Sequence, residues 1–208
     1  MNDKFSSRLP PDINVSRETE AQMAIYVDLL IKWNATVNLV SKTSINEIWS
    51  RHILDSVQIF NYGSTAVHWA DLGSGGGLPG LVVAILASEK APNMLVTLVE
   101  SDQRKAAFLR HVSHLLAVNT HIVSDRIEAI SPLGANIVSA RALAPLPQLC
   151  AFASRHLAHD GLAIFLKGKS AQSEIAEARK SWHFSLESQA SITEPSSSVL
   201  LLKGISCV

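Results

Sequence analysis

Apolar residues recur at helical spacing through the first part of the chain. One apolar stripe has members one, three or four residues apart: Ile25, Tyr26, Leu29, Leu30 and Trp33. Ser16 is a suitable N-cap for this helix, with acidic residues in the first turn after it. After a polar connection over 34–43, a second stripe comprises Ile45, Ile48, Trp49, His52, Ile53, Val57 and Phe60. We therefore predict an N-terminal helical arm.

From about residue 66 the pattern changes to short apolar runs that alternate with helical stretches. The predicted strands are 66–72, 94–99, 121–123, 136–139 and 161–167. Helices are predicted over 78–88, from a cap at Ser101, over 146–157 and over 171–182. Two last runs, 184–188 and 199–203, flank a Pro/Ser loop and predict a hairpin. Alternating strands and helices indicate an α/β fold with a mostly parallel, Rossmann-like, seven-stranded sheet.

The turn residues at 61–64 are the candidate boundary between the two parts of the chain. We predict a helical arm over 1–63 and one Rossmann-like domain over 64–208. The 208 residues fit this division, because a domain typically has about 100–200 residues.

Composition narrows the class of protein. Hydrophobic residues make up 47% and charged residues 17%, which excludes a largely disordered chain. Basic and acidic residues number 18 each, so RNA contact would depend on a local basic patch rather than on net charge.

Cys150 and Cys207 form no zinc or disulfide pattern. With no signal-peptide profile and no apolar run near the ~20 residues that span a bilayer, we expect a cytoplasmic protein without a metal or membrane contact.

The strongest chemical signal is the glycine-rich stretch Asp71–Gly80, where the first strand turns into a helix. Gly75-x-Gly77-x-x-Gly80 with Glu100 twenty residues later matches a dinucleotide fingerprint. Acid-x-Gly-x-Gly-x-Gly, from Asp71 to Gly77, instead resembles the S-adenosylmethionine loop of class I methyltransferases. We favour the methyl donor, because a carboxylate at Asp71 would repel a pyrophosphate and suit a cationic ligand. In either case Glu100 is placed to accept hydrogen bonds from ribose hydroxyls.

A set of motifs along the chain carries a more specific resemblance. The motifs are Asn38-Leu39 followed by Arg51-His52-Ile53-Leu54-Asp55-Ser56; Gly73-x-Gly75-x-Gly77-Leu78-Pro79-Gly80; Lys105-x-x-Phe108-Leu109-Arg110; Ser139-x-Arg141-Ala142; and Leu166-Lys167-Gly168. In this order they resemble the ribosomal RNA small subunit methyltransferase G family, also called glucose-inhibited division protein B.

The resemblance implies a class I methyltransferase that moves a methyl group from S-adenosylmethionine to N7 of one guanine in 16S rRNA. It implies donor contacts at Gly73, Leu78, Ile127, Glu128 and Arg141, and Glu100 matches an acidic position of the family. Gly75 and Gly77 complete the predicted donor loop. Gly76 stands where many members have proline, so a slightly looser loop is expected.

The residue types agree with this chemistry. Guanine N7 has a lone pair and no proton to lose, so positioning rather than a general base is required. Arg141 follows the fourth strand, and we assign it the catalytic role of contacting the donor or the RNA through its guanidinium group. Predicted RNA-phosphate contacts are Arg104, Lys105, Arg110 and Lys167. Neither cysteine is expected to be a nucleophile.

The remaining motif residues have simpler interpretations. We predict that His52 is a satisfied core histidine and that Arg51 and Asp55 form an i,i+4 ion pair. The family resemblance also suggests that these residues brace the arm against the donor pocket. The four tryptophans are expected to pack in the core. The partner is 16S rRNA or the small subunit, and a monomer is expected. Two alternatives stay open: an NAD-linked oxidoreductase and a non-catalytic donor-binding module.

Overall fold

One seven-stranded sheet organises the described residues, which are 9–10, 13–41 and 43–208 of a computed structural model. Its strands are β1 His68–Leu72, β2 Leu95–Val99, β3 Thr120–Val123, β4 Ala135–Arg141, β5 Leu157–Lys167, β6 Trp182–Ala190 and β7 Ser198–Cys207. The spatial order is β3-β2-β1-β4-β5-β7-β6. The strands from β1 to β5 pair in parallel, while β7 is antiparallel to both β5 and β6. The predicted α/β fold and terminal hairpin are therefore confirmed.

Six α-helices accompany the sheet in the described part of the chain: α1 Arg17–Val37, α2 Asp55–Val57, α3 Gly80–Lys90, α4 Gln103–Leu115, α5 Leu146–His156 and α6 Ala171–Ala178. Successive strand residues point to opposite faces, so each strand feeds two cores. Trp69 of β1 packs in the core beneath α1, α3 and α4. Its neighbour Ala70 packs in the core beneath α5 and α6.

The N-terminal helix α1 packs directly on the sheet domain. Ser16 caps it by accepting from Thr19 N, as predicted. The Glu89 carboxylate of α3 accepts from Ser16 N at 2.8 Å and from Thr19 Oγ1 at 2.6 Å, which fixes the start of α1 against α3. The predicted apolar stripe is partly wrong, because Ile25 is exposed and Met23 is buried in its place. The division of the chain at residue 63 remains a prediction.

The second predicted helix of the arm is not regular. The chain forms 3₁₀ turns over Ile45–Glu47 and Phe60–Tyr62, a π-helical turn over Trp49–Leu54 and the short α2 between them. Arg51 pairs with Glu47, at 2.9 Å, on the preceding turn. The predicted pair with Asp55 is absent, because Asp55 pairs with Arg141 instead.

Two further boundaries differ from the prediction for local reasons. Asp102, not Ser101, caps α4, because its carboxylate accepts from Arg104 N and Lys105 N. Helix α6 ends at Ala178, since Trp182 begins strand β6. Of the four tryptophans, Trp69 is fully buried and the others are partly buried against the two cores.

Candidate active site

The glycine-rich loop after β1 forms one wall of a cavity of about 460 Å³ at the carboxyl edge of the sheet. Gly73 and Gly75 have φ values of 66° and 56°, which side chains rarely adopt. A Cβ at Gly75 would have only Gly73 O nearby, at 3.8 Å, so this position borders open space. Gly77 does not line the cavity; a Cβ there would lie 2.4 Å from Leu81 Cδ1, so its role is close packing against α3.

Glu100, which follows β2, is fixed by backbone amides at the mouth of this loop. Its Oε2 accepts from Gly75 N and its Oε1 from Asp102 N, both at 2.8 Å. The residue is buried but lines the cavity. Each carboxylate oxygen retains lone-pair capacity, so the group is oriented to accept two further hydrogen bonds from a ligand diol.

Asp71 does not have the role that the sequence suggested. Its side chain is fully buried and does not line the cavity. Oδ2 accepts from Gly80 N, at 3.1 Å, and Oδ1 accepts from Ser139 Oγ, at 2.7 Å. Asp71 therefore holds the start of α3 and links β1 to β4, and its charge does not face a ligand. The argument that used the charge of Asp71 to select the donor is therefore wrong.

The environment of Asp71 leads to a pH-dependent prediction. Burial raises the pKa of this carboxyl from 3.8 to about 6, despite the hydrogen bonds from Ser139, Ser74 and Gly80. Because the folded state binds this proton more tightly, the contribution to stability is complete below pH 3.8 and is lost as pH rises through about 6. We expect the free energy of unfolding of the wild type, relative to Asp71→Asn, to fall by about 2–3 kcal/mol across that window. Urea unfolding of both proteins at several pH values tests this, and a difference independent of pH would contradict it.

The loop after β3 forms a second part of the cavity lining. Ile127 and Glu128 both line it, and Phe152 of α5 lies nearby in the same wall. The Ile127 carbonyl is bonded to His156 Nε2 at 2.9 Å, which anchors this loop to the core. The apolar Ile127 and Phe152 side chains suit the faces of an adenine ring, and Glu128 supplies a polar edge.

Arg141, the last residue of β4, lies on the third side of the cavity. Its Nη1 donates to the Arg51 carbonyl at 3.2 Å and to Asp55 Oδ2 at 3.5 Å. The Arg141 side chain is only 16% exposed. The predicted brace between the arm and the pocket therefore exists, but Asp55 and the Arg51 backbone form it rather than an ion pair within the arm.

The predicted RNA-binding residues fall into two groups. Arg104, Lys105 and Arg110 lie on α4; Arg104 and Arg110 are exposed, and Lys105 lines the cavity. Lys167 differs, because its Nζ donates to Glu174 Oε2 at 2.6 Å and to Ala144 O at 3.0 Å. Its side chain is 10% exposed. The geometry gives Lys167 the structural role of joining β5 to α6, and its expected phosphate contact stays a prediction.

His52 and the two cysteines can also be placed. His52 Nε2 is bonded to Ser44 Oγ at 2.8 Å, but Nδ1 is buried without a partner, so the predicted satisfied histidine is only half correct. Burial raises the pKa of the Cys150 thiol to about 12, which leaves it protonated, and Cys207 is exposed beside the C-terminus.

In the described ranges, no group of three or more His, Cys, Asp or Glu residues could hold a metal ion. No helix of that same part of the chain has the length and apolarity to cross a membrane.

Sequence reasoning missed the residues by which the arm supports the donor loop. The Tyr26 hydroxyl of α1 donates to the Gly76 carbonyl at 2.7 Å, in a buried position. A Cβ at Gly76 would lie 3.0 Å from Leu30 Cδ1 and 3.2 Å from Leu39 Cβ, so the arm lies against the loop. The apolar pattern places Tyr26 in a helical stripe and gives no sign that its hydroxyl reaches Gly76, fifty positions away.

We predict that Tyr26→Phe weakens donor binding several-fold with a small effect on the rate at saturating donor. The change leaves the buried Gly76 carbonyl without its donor, which costs about 1–3 kcal/mol and loosens the loop. Calorimetric titration with S-adenosylmethionine measures the effect. Tyr62→Phe is the matched control, because the Tyr62 hydroxyl bonds to Gln189 away from the loop. Equal donor affinities in the two variants would contradict the prediction.

Solved structures share this architecture. A methyltransferase from Geobacter sulfurreducens aligns with a TM-score of 0.58 at 11% identity, covering 96% of this chain and 93% of that one. A variant of MtNAS in complex with S-adenosylmethionine aligns with a TM-score of 0.57 at 17% identity, covering 89% of this chain and 76% of that one. At these identities the likeness concerns the fold alone.

This strand order, with a glycine-rich loop and an amide-held carboxylate on one cavity, defines a class I S-adenosylmethionine-dependent methyltransferase. The family model for rRNA small subunit methyltransferase G matches residues 19–200. Proteins with that name from Ruegeria sp. (strain TM1040) and Cereibacter sphaeroides are 46% identical over 194 residues and 48% identical over 197. These alignments cover 93% and 94% of this chain and 95% of each relative. The chain belongs to the rRNA small subunit methyltransferase G family, and neither the oxidoreductase nor the non-catalytic alternative has support.

Proposed function

We propose that the protein transfers a methyl group from S-adenosylmethionine to N7 of a guanine in the 16S rRNA of the small ribosomal subunit. The observation that carries this proposal is the convergence, on one cavity, of the glycine loop, Glu100 and Arg141 in a chain of this family. The choice of guanine N7 follows from the motifs of the family and from the chemistry below.

The chain's own residues bind and orient the donor. The Glu100 carboxylate, held by two backbone amides, accepts from the ribose hydroxyls. Ile127 and Phe152 contact the adenine faces, while Gly73 and Gly75 allow the backbone to approach the rest of the ligand. Leu78 and Arg141 also line this cavity, and we assign Arg141 to the boundary between donor and acceptor.

The reaction requires positioning more than proton transfer. When bound, S-adenosylmethionine supplies a methyl group on a sulfonium. The N7 lone pair forms the new bond to the methyl carbon, the carbon–sulfur bond breaks, and its electron pair stays on sulfur. No proton moves, so no general base is needed, and alignment within near-attack distance supplies most of the rate enhancement. Glu100, which is already engaged by two amides, therefore has a binding role rather than the role of a base.

The RNA surface of this proposal comprises Arg104, Lys105 and Arg110 of α4. With a net charge of zero, the chain depends on such a local patch and on RNA shape. Arg104 also pairs with Asp102 at 3.1 Å. Because an ion pair on the surface is weak, a phosphate can replace Asp102 as the partner of Arg104. We also propose that the protein is a monomer and acts in the cytoplasm. Measuring its molecular mass in solution, at the protein concentration of the methylation assay, tests the monomeric state.

A methyl-transfer assay tests the function. Purified protein is given radiolabelled S-adenosylmethionine with unmodified small subunits or with naked 16S rRNA, and the RNA is then cleaved chemically at 7-methylguanine. A single cleavage site is the expected result. Label at another atom would overturn the assignment of N7. An absence of label on every form of the RNA, despite measurable donor binding, would overturn the proposed substrate.

A further inference from the structure

The loop over 191–197, which joins β6 to β7, lies close to Arg141. Ser191 of this loop lines a cavity that adjoins the donor cavity, and Arg141 lines both cavities. Ser191 Oγ and Thr193 Oγ1 donate to Asp55 Oδ1, at 3.2 Å and 3.1 Å. The other oxygen of the same carboxylate, Oδ2, accepts from Arg141 Nη1 at 3.5 Å. One carboxylate therefore joins the loop to the boundary of the donor cavity.

Ile192 lies between the two residues that Asp55 holds, and it is presented to solvent. It is 60% exposed. Its backbone N donates to Gln58 Oε1 at 3.0 Å, and the loop closes on itself where Ser191 N donates to Ser197 O at 2.9 Å. These contacts fix the backbone of Ile192 and leave its apolar side chain outside the core. Loops held by a rigid scaffold at the edge of a site commonly carry the residues that contact a substrate.

Exposed cations from two other parts of the chain flank this loop. Arg51 Nη2 lies 3.9 Å from Glu194 Oε2. Hydrogen bonds from Ser196, together with the positive charges of Arg51 and Lys169, hold the pKa of the Glu194 carboxyl below its usual range. Arg51 and Lys169 are both exposed. Because surface ion pairs are weak, an RNA phosphate can replace Glu194 as their partner. An apolar side chain with cations close by suits nucleic acid as the molecule that covers it.

A guanine in folded RNA is stacked between its neighbours, and when it is paired its N7 lies in a deep, narrow groove. Enzymes that act on such a base take it out of the stack, and apolar side chains inserted between bases offset the cost of unstacking. We propose that Ile192 is such a wedge: it enters the RNA stack beside the acceptor guanine and keeps that base turned out, while Arg51 and Lys169 contact nearby phosphates. Ile192 is then a positioning residue, because it acts on the RNA and not on the reacting atoms. The inference rests on the proposed methyl transfer and adds how the RNA is opened.

Shortening the Ile192 side chain tests the wedge. The anchors of this residue belong to its backbone and to its neighbours, so Ile192→Ala should keep the fold. We expect the single-turnover rate of methylation of 16S rRNA to fall by about tenfold or more, since the base returns to the stack. The affinity for S-adenosylmethionine should stay within about twofold of the wild type, because Ile192 does not line the donor cavity. Ile192→Leu keeps the apolar bulk and should restore most of the rate.

Val67→Ala is the matched control. Val67 is 67% exposed and directly precedes β1, so it lies at the opposite end of the parallel strands from the donor cavity. The variant removes a comparable exposed apolar side chain and should methylate at the wild-type rate. Equal losses of rate in Val67→Ala and Ile192→Ala would overturn the wedge.

An RNA without the stack separates a wedge from a general loss of activity. Once chemical cleavage has located the methylated guanine, two RNA fragments are made, one unmodified and one with abasic nucleotides on both sides of that guanine. We expect Ile192→Ala to be slow on the first fragment and to match the wild type within about twofold on the second, where no neighbouring base holds the guanine in place. Equal losses on both fragments, or wild-type rates on both, would contradict the proposal.

A second readout does not depend on methylation. The fluorescence of 2-aminopurine rises when this base loses its stacking neighbours, so an RNA hairpin that carries it beside a guanine reports unstacking. At protein concentrations that saturate the hairpin, we expect a rise with the wild type and with Ile192→Leu, and none with Ile192→Ala. The same response from the wild type and Ile192→Ala would overturn the wedge. If the wild type methylates no RNA, the proposed function fails separately, and this readout alone decides the role of Ile192.

Discussion

Replacing Arg141 with alanine is expected to lower the rate of methyl transfer by about a hundredfold or more while the fold is retained. Arg141 lines both the donor cavity and the cavity beside it, so its side chain bears on the alignment of the two reactants. Its removal also leaves Asp55 without its cation. Gln58, Ser191 and Thr193 still donate to that carboxylate, which is why the structure should tolerate the change.

Two further variants separate the role of Arg141 from a general loss of positive charge. Arg141→Lys keeps the charge but removes the planar fork, so we expect it to recover only a small part of the activity. Arg179→Ala removes an arginine that contacts the Phe184 ring and lines neither cavity, and it should methylate at the wild-type rate. Single-turnover methylation of 16S rRNA measures all three, and circular dichroism reports the fold. Full activity of Arg141→Ala would refute the catalytic assignment.

The donor side of the site was predictable because its determinants are local. A strand that ends in closely spaced glycines before a helix predicts both the loop and its location, and Glu100 directly follows the next strand. The helix–strand alternation likewise predicted the sheet, and its hydrophobic runs identified all seven strands to within a few residues. In each case the residues that decide the structure lie within one element or its adjoining turn.

The features that the sequence did not reveal depend on partners far along the chain. Asp71 precedes the loop as a ligand-facing acid would, yet Ser139, sixty-eight positions away, and Gly80 direct it into the core. Lys167 ends a strand at the active edge, but Glu174 engages it. The Arg51–Asp55 spacing fits an ion pair, but Asp55 pairs with Arg141, eighty-six positions away, and Arg51 pairs with Glu47. Hydrophobic periodicity predicts which face of a helix or strand is buried, but it does not predict which residue a polar side chain contacts.

The paired charges around Arg141 connect these observations. Two of the residues that misled sequence reasoning, Asp55 and Lys167, belong to ion pairs with Arg141 and Glu174, and the Asp55–Arg141 pair lies at the boundary of the donor cavity. A reaction that carries a positive charge across this boundary benefits from cations that are held and balanced rather than exposed. On α4, Arg104 and Arg110 are exposed, which suits contact with RNA phosphates.

Replacing Gly75 with valine is expected to abolish measurable binding of S-adenosylmethionine. The residue has a φ of 56°, and the space that a Cβ would enter is the donor cavity. A β-branched side chain at such a φ strains the backbone by about 1–3 kcal/mol and also occupies ligand space. The same strain would displace Gly75 N from Glu100 Oε2, and the carboxylate that binds the ribose would lose one of its two amide anchors.

Gly134→Val separates strain from blockage of the donor cavity. Gly134 has a nearly equal φ, 61°, and a Cβ there meets no atom within 4 Å, but it does not line the donor cavity. Both variants should therefore lose similar stability in a denaturant titration, while only Gly75→Val loses donor affinity in calorimetry. Retained affinity in Gly75→Val would show that the ligand does not approach this part of the loop. Equal loss of affinity in both variants would mean that destabilisation, rather than occupation of the cavity, accounts for the effect.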